Sequence, residues 1–233
     1  MRRNHEHLFL HEQMLLLILR DEEGTLESKA GMYRLALGGA ILVELLLNER
    51  ITIDDDKKKR VTVTNSAPLG EEILDEALAK ISAPKRRRAA STWITSLSGI
   101  KRLRHRIAES LCDRRILKQA EDTVLLVFKR KVYPTIDPIP ERKLLDQIGK
   151  VIRGSSPAAD SRVIVLIALA HATGSLKSHF ERRVLKDAKK RIERIVSGDL
   201  AGDAAHDAAQ AAVQAAIAAV TAATVVTTTV GTR

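Results

Sequence analysis

One cysteine in 233 residues, Cys112, excludes an intramolecular disulfide framework and any cysteine-rich zinc site. Such a chain suits a reducing cytosol, and Cys112 is expected to be a small buried apolar residue. Aromatic residues make up only 3%. Single-stranded nucleic acids are commonly bound on aromatic platforms, so that class starts at a disadvantage, while duplex binding through phosphates does not. Long apolar runs are also missing, since a bilayer-spanning helix needs about 20 strongly apolar residues. Leu35 to Leu47 carries Glu44 in its middle, and Ala208 to Val226 is mostly alanine with Gln210 and Gln214. Near the start, His11, Glu12 and Gln13 interrupt the chain, and the apolar run from Met14 to Leu19 is too short for a signal peptide. Secretion is not expected, and any membrane contact is expected to be peripheral.

Catalytic signatures are equally scarce. There is no Gly-rich phosphate loop, nucleophile elbow or acidic metal cluster. Asp54, Asp55 and Asp56 come closest, but Lys57, Lys58 and Lys59 follow directly, which reads as a self-neutralising turn. His11 and Glu12 begin like the zinc-protease helix motif, yet Leu15 stands where its second histidine belongs. His5, His7 and His11 have helical spacing for a shared ion, but a metal is the weaker reading. His171 reads as a hydrogen-bonded core histidine, and Glu44 as a buried carboxylate paired with an arginine or a helix N-terminus. No enzyme, cofactor or metal is expected.

What the chain does have is positive charge and an ample apolar fraction. Lys and Arg total 39 against 29 for Asp and Glu, a net charge of +10, so the surface should attract polyanions. The hydrophobic content of 45% suffices for a real core.

The apolar periodicity predicts a mainly α fold, a helical bundle core ringed by amphipathic helices, with two short β-hairpins. Helices are expected over Leu8 to Leu19, Met32 to Leu47, Glu71 to Ile81, a segment carrying Trp93 and ending at Gly99, Ile100 to Leu111, Ile139 to Ile152, Arg162 to Ala172 and Leu176 to Val196. Met32 to Leu47 is apolar nearly all round, which places it at the centre, and Gly38 and Gly39 point to a close helix contact there. Arg50 to Ile53 with Arg60 to Thr64 forms one expected hairpin, and Arg115 to Lys118 with Thr123 to Lys129 the other. Residues 1–202 are expected to form one helical domain. From 203 to 233 the chain is low-complexity Ala, Val and Thr, expected as a helix followed by a frayed tail.

Two features point to a binding surface. Lys101 and Arg104 are three residues apart on a helix crowded with basic residues, close enough to grip one phosphate from a single face, while Arg102 and Arg106 share the other flank. Leu125, Leu126, Val127 and Phe128 are consecutive large apolar residues beside Lys129, Arg130 and Lys131, so both faces of that strand seek cover. The core, another copy of the chain and lipid are all open as that cover.

Several stretches in order resemble the Golgi phosphoprotein 3 family: HLFLHEQMLLLILRDEEG at the start, GAILVELLLNERITI, SAPLGEEILDEALAKI, Trp93 within TWITSLSG, LRHRIAESL with the hairpin after it, and LIALAHATG at 166 to 174. The resemblance covers roughly residues 7 to 200. It implies a mostly helical fold with a hydrophobic β-hairpin, binding of phosphatidylinositol 4-phosphate and, in Golgi members, retention of glycosyltransferases through their cytosolic tails. Its headgroup contacts are one tryptophan and three arginines. Two of those arginines fall at Lys101 and Arg104, so positive charge persists at both. A gapless alignment puts the tryptophan at Lys29 and the third arginine at Gly38, so both of these contacts are lost, and Arg34, one turn before Gly38, is the candidate replacement. The long N-terminal extension of Golgi members does not precede the first motif, which suggests a prokaryotic or Golgi-free member.

The expectation is therefore a cytoplasmic, peripheral membrane adaptor at the cytosolic face. It recognises an anionic phosphoinositide-like headgroup through Lys101, Arg104 and Arg34, uses Leu125 to Phe128 as a membrane or self-association hairpin, and serves an unknown client. Nucleic acid is not the expected partner. The rivals are a nucleic-acid binder using the basic runs at 84–88 and 101–106, and a structural oligomer joined through the hairpin.

Overall fold

The first apolar run of the chain is a shorter helix than its periodicity suggests, because its last turns are used otherwise. A computed structural model describes residues 8–26, 32–54, 57–124, 128–155 and 160–197. In it α1 is Leu10–Leu16, and Leu19 pairs instead with Leu26 in an isolated antiparallel bridge. The bend between them turns at Gly24, whose φ of +61° favours glycine and whose carbonyl accepts from Tyr133 N–H at 3.0 Å.

The helix α2 (Met32–Leu47) lies at the centre as expected, with every residue from Ala36 to Leu46 buried. It packs against α1, against α3 (Glu72–Ser82), most extensively against α4 (Ala90–Ser98), and against α7 (Ser161–Thr173). The α2–α4 contact is close because Gly38 has no side chain: a Cβ there would stand 2.6 Å from the Ile94 carbonyl oxygen and 2.9 Å from Ser98 N. Glu71 caps α3, its carboxylate accepting from Leu74 N–H at 2.7 Å.

Between α2 and α3 the expected hairpin is present as β1 (Ile51–Ile53) and β2 (Val61–Val63), antiparallel with Thr52 opposite Thr62. Asp54, expected to be neutralised by the lysines after it, is bound by Arg87 at 2.9 Å. Asp55 and Asp56 lie outside the described residues.

Three expectations are corrected. The basic helix α5 (Leu103–Asp113) begins later than Ile100, because Arg102 at its N-cap adopts a left-handed φ of 56°. The first strand of the second hairpin is β3 (Ala120–Val124), not Arg115 to Lys118. Arg115 takes a left-handed φ of 58°, Ile116 N–H still bonds Leu111 O, and Ile116 and Leu117 enter the core. Its partner is β4 (Phe128–Val132), antiparallel with Val124 opposite Phe128. After α6 (Ile139–Arg153) and α7, the long basic helix expected from Leu176 is three short ones, α8 (Leu176–His179), α9 (Arg182–Asp187) and α10 (Lys189–Ser197). Phe180 and Glu181 are extended, with ψ of 138° and 145°, and interrupt it. The tail from 203 lies outside the described residues.

Buried ion pairs tie these elements together. Glu44 on α2 accepts from both terminal nitrogens of Arg162 on α7, at 2.8 and 2.6 Å, and from Leu10 N–H at the start of α1, at 2.8 Å. Burial alone would raise its pKa, but the guanidinium and the amide outweigh burial and hold the carboxyl below its ordinary value. This is the pairing expected for Glu44. Glu12 plays the same part for α1 and α5, bonding Arg114 at 2.8 Å and Ser110 at 3.0 Å. His11 is buried with its Nε2 3.8 Å from Glu71, and among the described residues no group of His, Cys, Asp and Glu could hold a metal. His171, expected in the core, is exposed near the end of α7. Cys112 is half-buried, its thiol pushed up to about 11 by burial and by Asp113 and Glu109.

Candidate anion-binding site

The basic residues of α5 meet the N-terminal turn of α2 across a cavity of about 180 Å³. Tyr33, Arg34 and Leu37 come from α2, Ser98 from the last turn of α4, and Arg102, Leu103, Arg104 and His105 from the start of α5. Leu37 and Leu103 are buried and fix the two helices, so the polar groups at the rim are set by core packing. Arg102, Arg104 and His105 also form one wall of a wider hollow of about 550 Å³, closed on the far side by Arg130 and Lys131 of β4.

The hydrogen bonds show which charges are free. Arg102 is tied to Glu109 at 2.9 Å, Lys131 lies 3.7 Å from the same carboxylate, and Arg130 bonds Asp122 at 2.9 Å. Arg34 and Arg104 have no carboxylate partner among the described residues. Arg102, Arg130 and Lys131 are thus answered by carboxylates, and the two cations without one are Arg34 in the α2–α5 cavity and Arg104, which lines both hollows.

His105 joins the two. Its Nε2 stands 3.2 Å from an Arg104 nitrogen, which can only donate, so Nε2 accepts and the proton sits on Nδ1, facing Tyr133 Oη at 2.9 Å. That is the neutral imidazole. Burial and the charges of Arg104, Arg102 and Lys131 hold the His105 pKa below its usual value against the opposing pull of Glu109. Tyr133 is raised by burial and by Glu109.

Of the expected site residues, the structure brings Arg34 and Arg104 to one cavity and leaves Lys101 out. Lys101 is exposed in the turn before α5 and lines neither hollow, because the left-handed Arg102 breaks the helical register that would have set it beside Arg104. Leu125, Leu126 and Val127 lie outside the described residues, and Phe128 opens β4. Sequence reasoning missed Arg102, His105 and Tyr33 as lining residues. The α5 residues had been divided between helix flanks, and only the cap geometry reveals that Arg102 turns back toward α2.

Two adjoining hollows rimmed by guanidinium groups lie on a helical scaffold in which no described helix is long and apolar enough to cross a membrane, which makes this a helical domain with a basic cavity. The Golgi phosphoprotein 3 (GPP34) family model matches residues 10–220, and the chain belongs to that family. It is similar to vacuolar protein sorting-associated protein 74 of Eremothecium gossypii, 30% identical over 164 residues, which cover 62% of this chain and 49% of that protein. The chain spans about half the length of this curated relative.

Proposed function

We propose that the protein is a peripheral membrane-binding adaptor that recognises the phosphate of an anionic lipid headgroup in the α2–α5 cavity, with phosphatidylinositol 4-phosphate as the headgroup the family resemblance favours. The observation that carries this reading is the convergence of Arg34 and Arg104, neither held by a described carboxylate, on one cavity. Guanidinium groups offer paired donors that match phosphate oxygens, and Tyr33 lines the same cavity. The role is binding, with no chemical step. A vacuolar sorting relative is in keeping with work at a membrane surface.

Vesicle flotation tests the reading. Wild-type protein floats with vesicles containing phosphatidylinositol 4-phosphate and not with neutral phosphatidylcholine. Each basic residue near an anionic surface contributes about 1 kcal/mol, so Arg34→Ala/Arg104→Ala should weaken vesicle binding by about 30-fold. Equal binding to neutral and anionic vesicles, or a double variant that binds like wild type, overturns it. Comparison with phosphatidylserine vesicles of equal charge reads the selectivity.

A further inference from the structure

A third basic hollow lies near the start of α4, and the headgroup reading does not use it. It measures about 250 Å³, lies between β2, the end of α3 and the segment 84–88, and is lined by Arg86, Arg87, Arg88, Ser66, Thr62 and Trp93 among others. Ser98, five residues on from Trp93 in the same helix, lines the α2–α5 cavity, so a rise of about 7.5 Å along α4 separates the two.

The three arginines are not a loose charged run. Val61 N–H bonds Arg88 O at 2.9 Å and Ala90 N–H bonds Lys59 O at 2.9 Å, so the segment's end, from Arg88 to Ala90, is held beside the start of β2. Arg87 is answered by Asp54 and also reaches Thr62 Oγ1 at 3.1 Å. Arg88 lies over the Trp93 ring, 5.4 Å from its centroid. Arg86 is exposed and has no partner among the described residues. The hollow therefore keeps an excess of positive charge, and no carboxylate lines it.

Trp93 is 3% exposed and its Nε1 has no hydrogen-bond partner among the described residues. An indole can only donate, but this nitrogen is closed off by the protein around it, so Trp93 brings its ring to the hollow. Arginine side chains also only donate. Hydroxyls aside, the side-chain polar groups of this wall are donors, which is the complement of an oxyanion.

We infer that this hollow is a second anion site, which takes a phosphate group against Arg86 and Arg88 beside the ring of Trp93, the phosphate being either that of a lipid headgroup or free in solution. Trp93 is the only tryptophan of the chain, so its emission reports the site directly. The full chain is titrated with inorganic phosphate at constant ionic strength, and separately with phosphatidylglycerol vesicles and with phosphatidylcholine vesicles.

A saturable change in emission is expected with phosphate, with the anionic vesicles, or with both, and not with phosphatidylcholine. A response to vesicles alone assigns the site to headgroups, and a response to phosphate assigns it to the free ion. Loss of one charge-assisted contact weakens binding by about tenfold or more, so Arg86→Ser and Arg88→Ser should each shift the midpoint by that factor. Arg86 is exposed and does not stack on the indole, so Arg86→Ser keeps both the fold and the baseline emission. Arg34→Ala/Arg104→Ala, which removes the headgroup site, leaves the phosphate response unchanged, so failure of one site is distinguishable from failure of the other. No saturable change with either probe, or a midpoint that Arg86→Ser does not move, overturns the inference.

Discussion

Replacing Gly38 by alanine tests whether the candidate site depends on core packing. The added Cβ would sit 2.6 Å from Ile94 O and 2.9 Å from Ser98 N, both backbone atoms of α4, which cannot rotate aside as a side-chain end would. Restoring van der Waals contact requires α2 and α4 to part by most of an ångström. Overpacking of this kind costs about 1–3 kcal/mol, and two backbone clashes put it near the upper end. Alanine recovers about 1 kcal/mol of helix propensity, which leaves a net loss of about 2 kcal/mol. For a chain of this size that lowers the Tm by roughly 4–8 °C, measured by thermal denaturation followed by circular dichroism. Gly39→Ala is the internal control. Its Cβ would meet only the end of the Leu169 side chain at 3.4 Å, so propensity prevails and the Tm should hold or rise. Because Ser98 also lines the cavity, Gly38→Ala should weaken anionic-vesicle binding as well, and Gly39→Ala should not. A Gly38→Ala protein as stable as wild type, or one less stable than Gly39→Ala by under 1 °C, refutes the reasoning.

Arg162→Met leaves the Glu44 carboxylate buried without its counter-ion and should cost about 3–5 kcal/mol in urea denaturation at neutral pH. Since the folded pKa of Glu44 is depressed, its stabilising pairing is present above the unfolded carboxyl pKa and lost as pH falls through the folded value, so the gap between Arg162→Met and wild type should narrow in acid. Lys101→Ala should weaken vesicle binding by much less than Arg104→Ala, because only Arg104 lines the cavity, and equal losses in flotation would contradict that geometry. His105 is held neutral, with a pKa below its usual value, so lowering the pH through that value adds a positive charge at the site. Binding to phosphatidylglycerol vesicles, whose phosphodiester does not titrate in this range, should strengthen as pH falls, and His105→Gln should flatten that dependence. The same depressed pKa means that His105 protonation disfavours the folded state, so unliganded wild type should lose stability relative to His105→Gln over that pH range.

The sequence makes plain the elements whose burial pattern is one-sided or complete. Met32 to Leu47 is apolar all round and is the central helix with the expected ends, and Glu71 to Ile81 differs from α3 by one residue at each end because Glu71 is the cap. Backbone conformation at single positions is harder to read. Nothing in the local pattern shows that Arg102 and Arg115 adopt left-handed φ, yet the first shortens α5 and removes Lys101 from the site, while the second sends Ile116 and Leu117 into the core in place of a strand. Amphipathic periodicity from Leu176 to Val196 continues across Phe180 and Glu181, so the break there is a tertiary effect that a helical pattern conceals. Arg34 was legible as a charge one turn from Gly38, whereas His105 was not, since its bond to Tyr133 joins residues 28 apart in the chain.

Gly38 also bears on where a cation of the basic cavity can stand. The family resemblance places an arginine at this position, but α4 crosses so closely that no side chain fits without moving backbone. A charge for the same cavity must then come from a neighbouring position on the same helix face, and residues four apart on a helix share a face. Arg34 meets that condition and lines the cavity from the exposed end of α2. The close α2–α4 crossing follows from the glycine, and Arg34 stands one turn away where a side chain has room. Any return of arginine to position 38 would have to be accompanied by a wider crossing at Ile94 and Ser98.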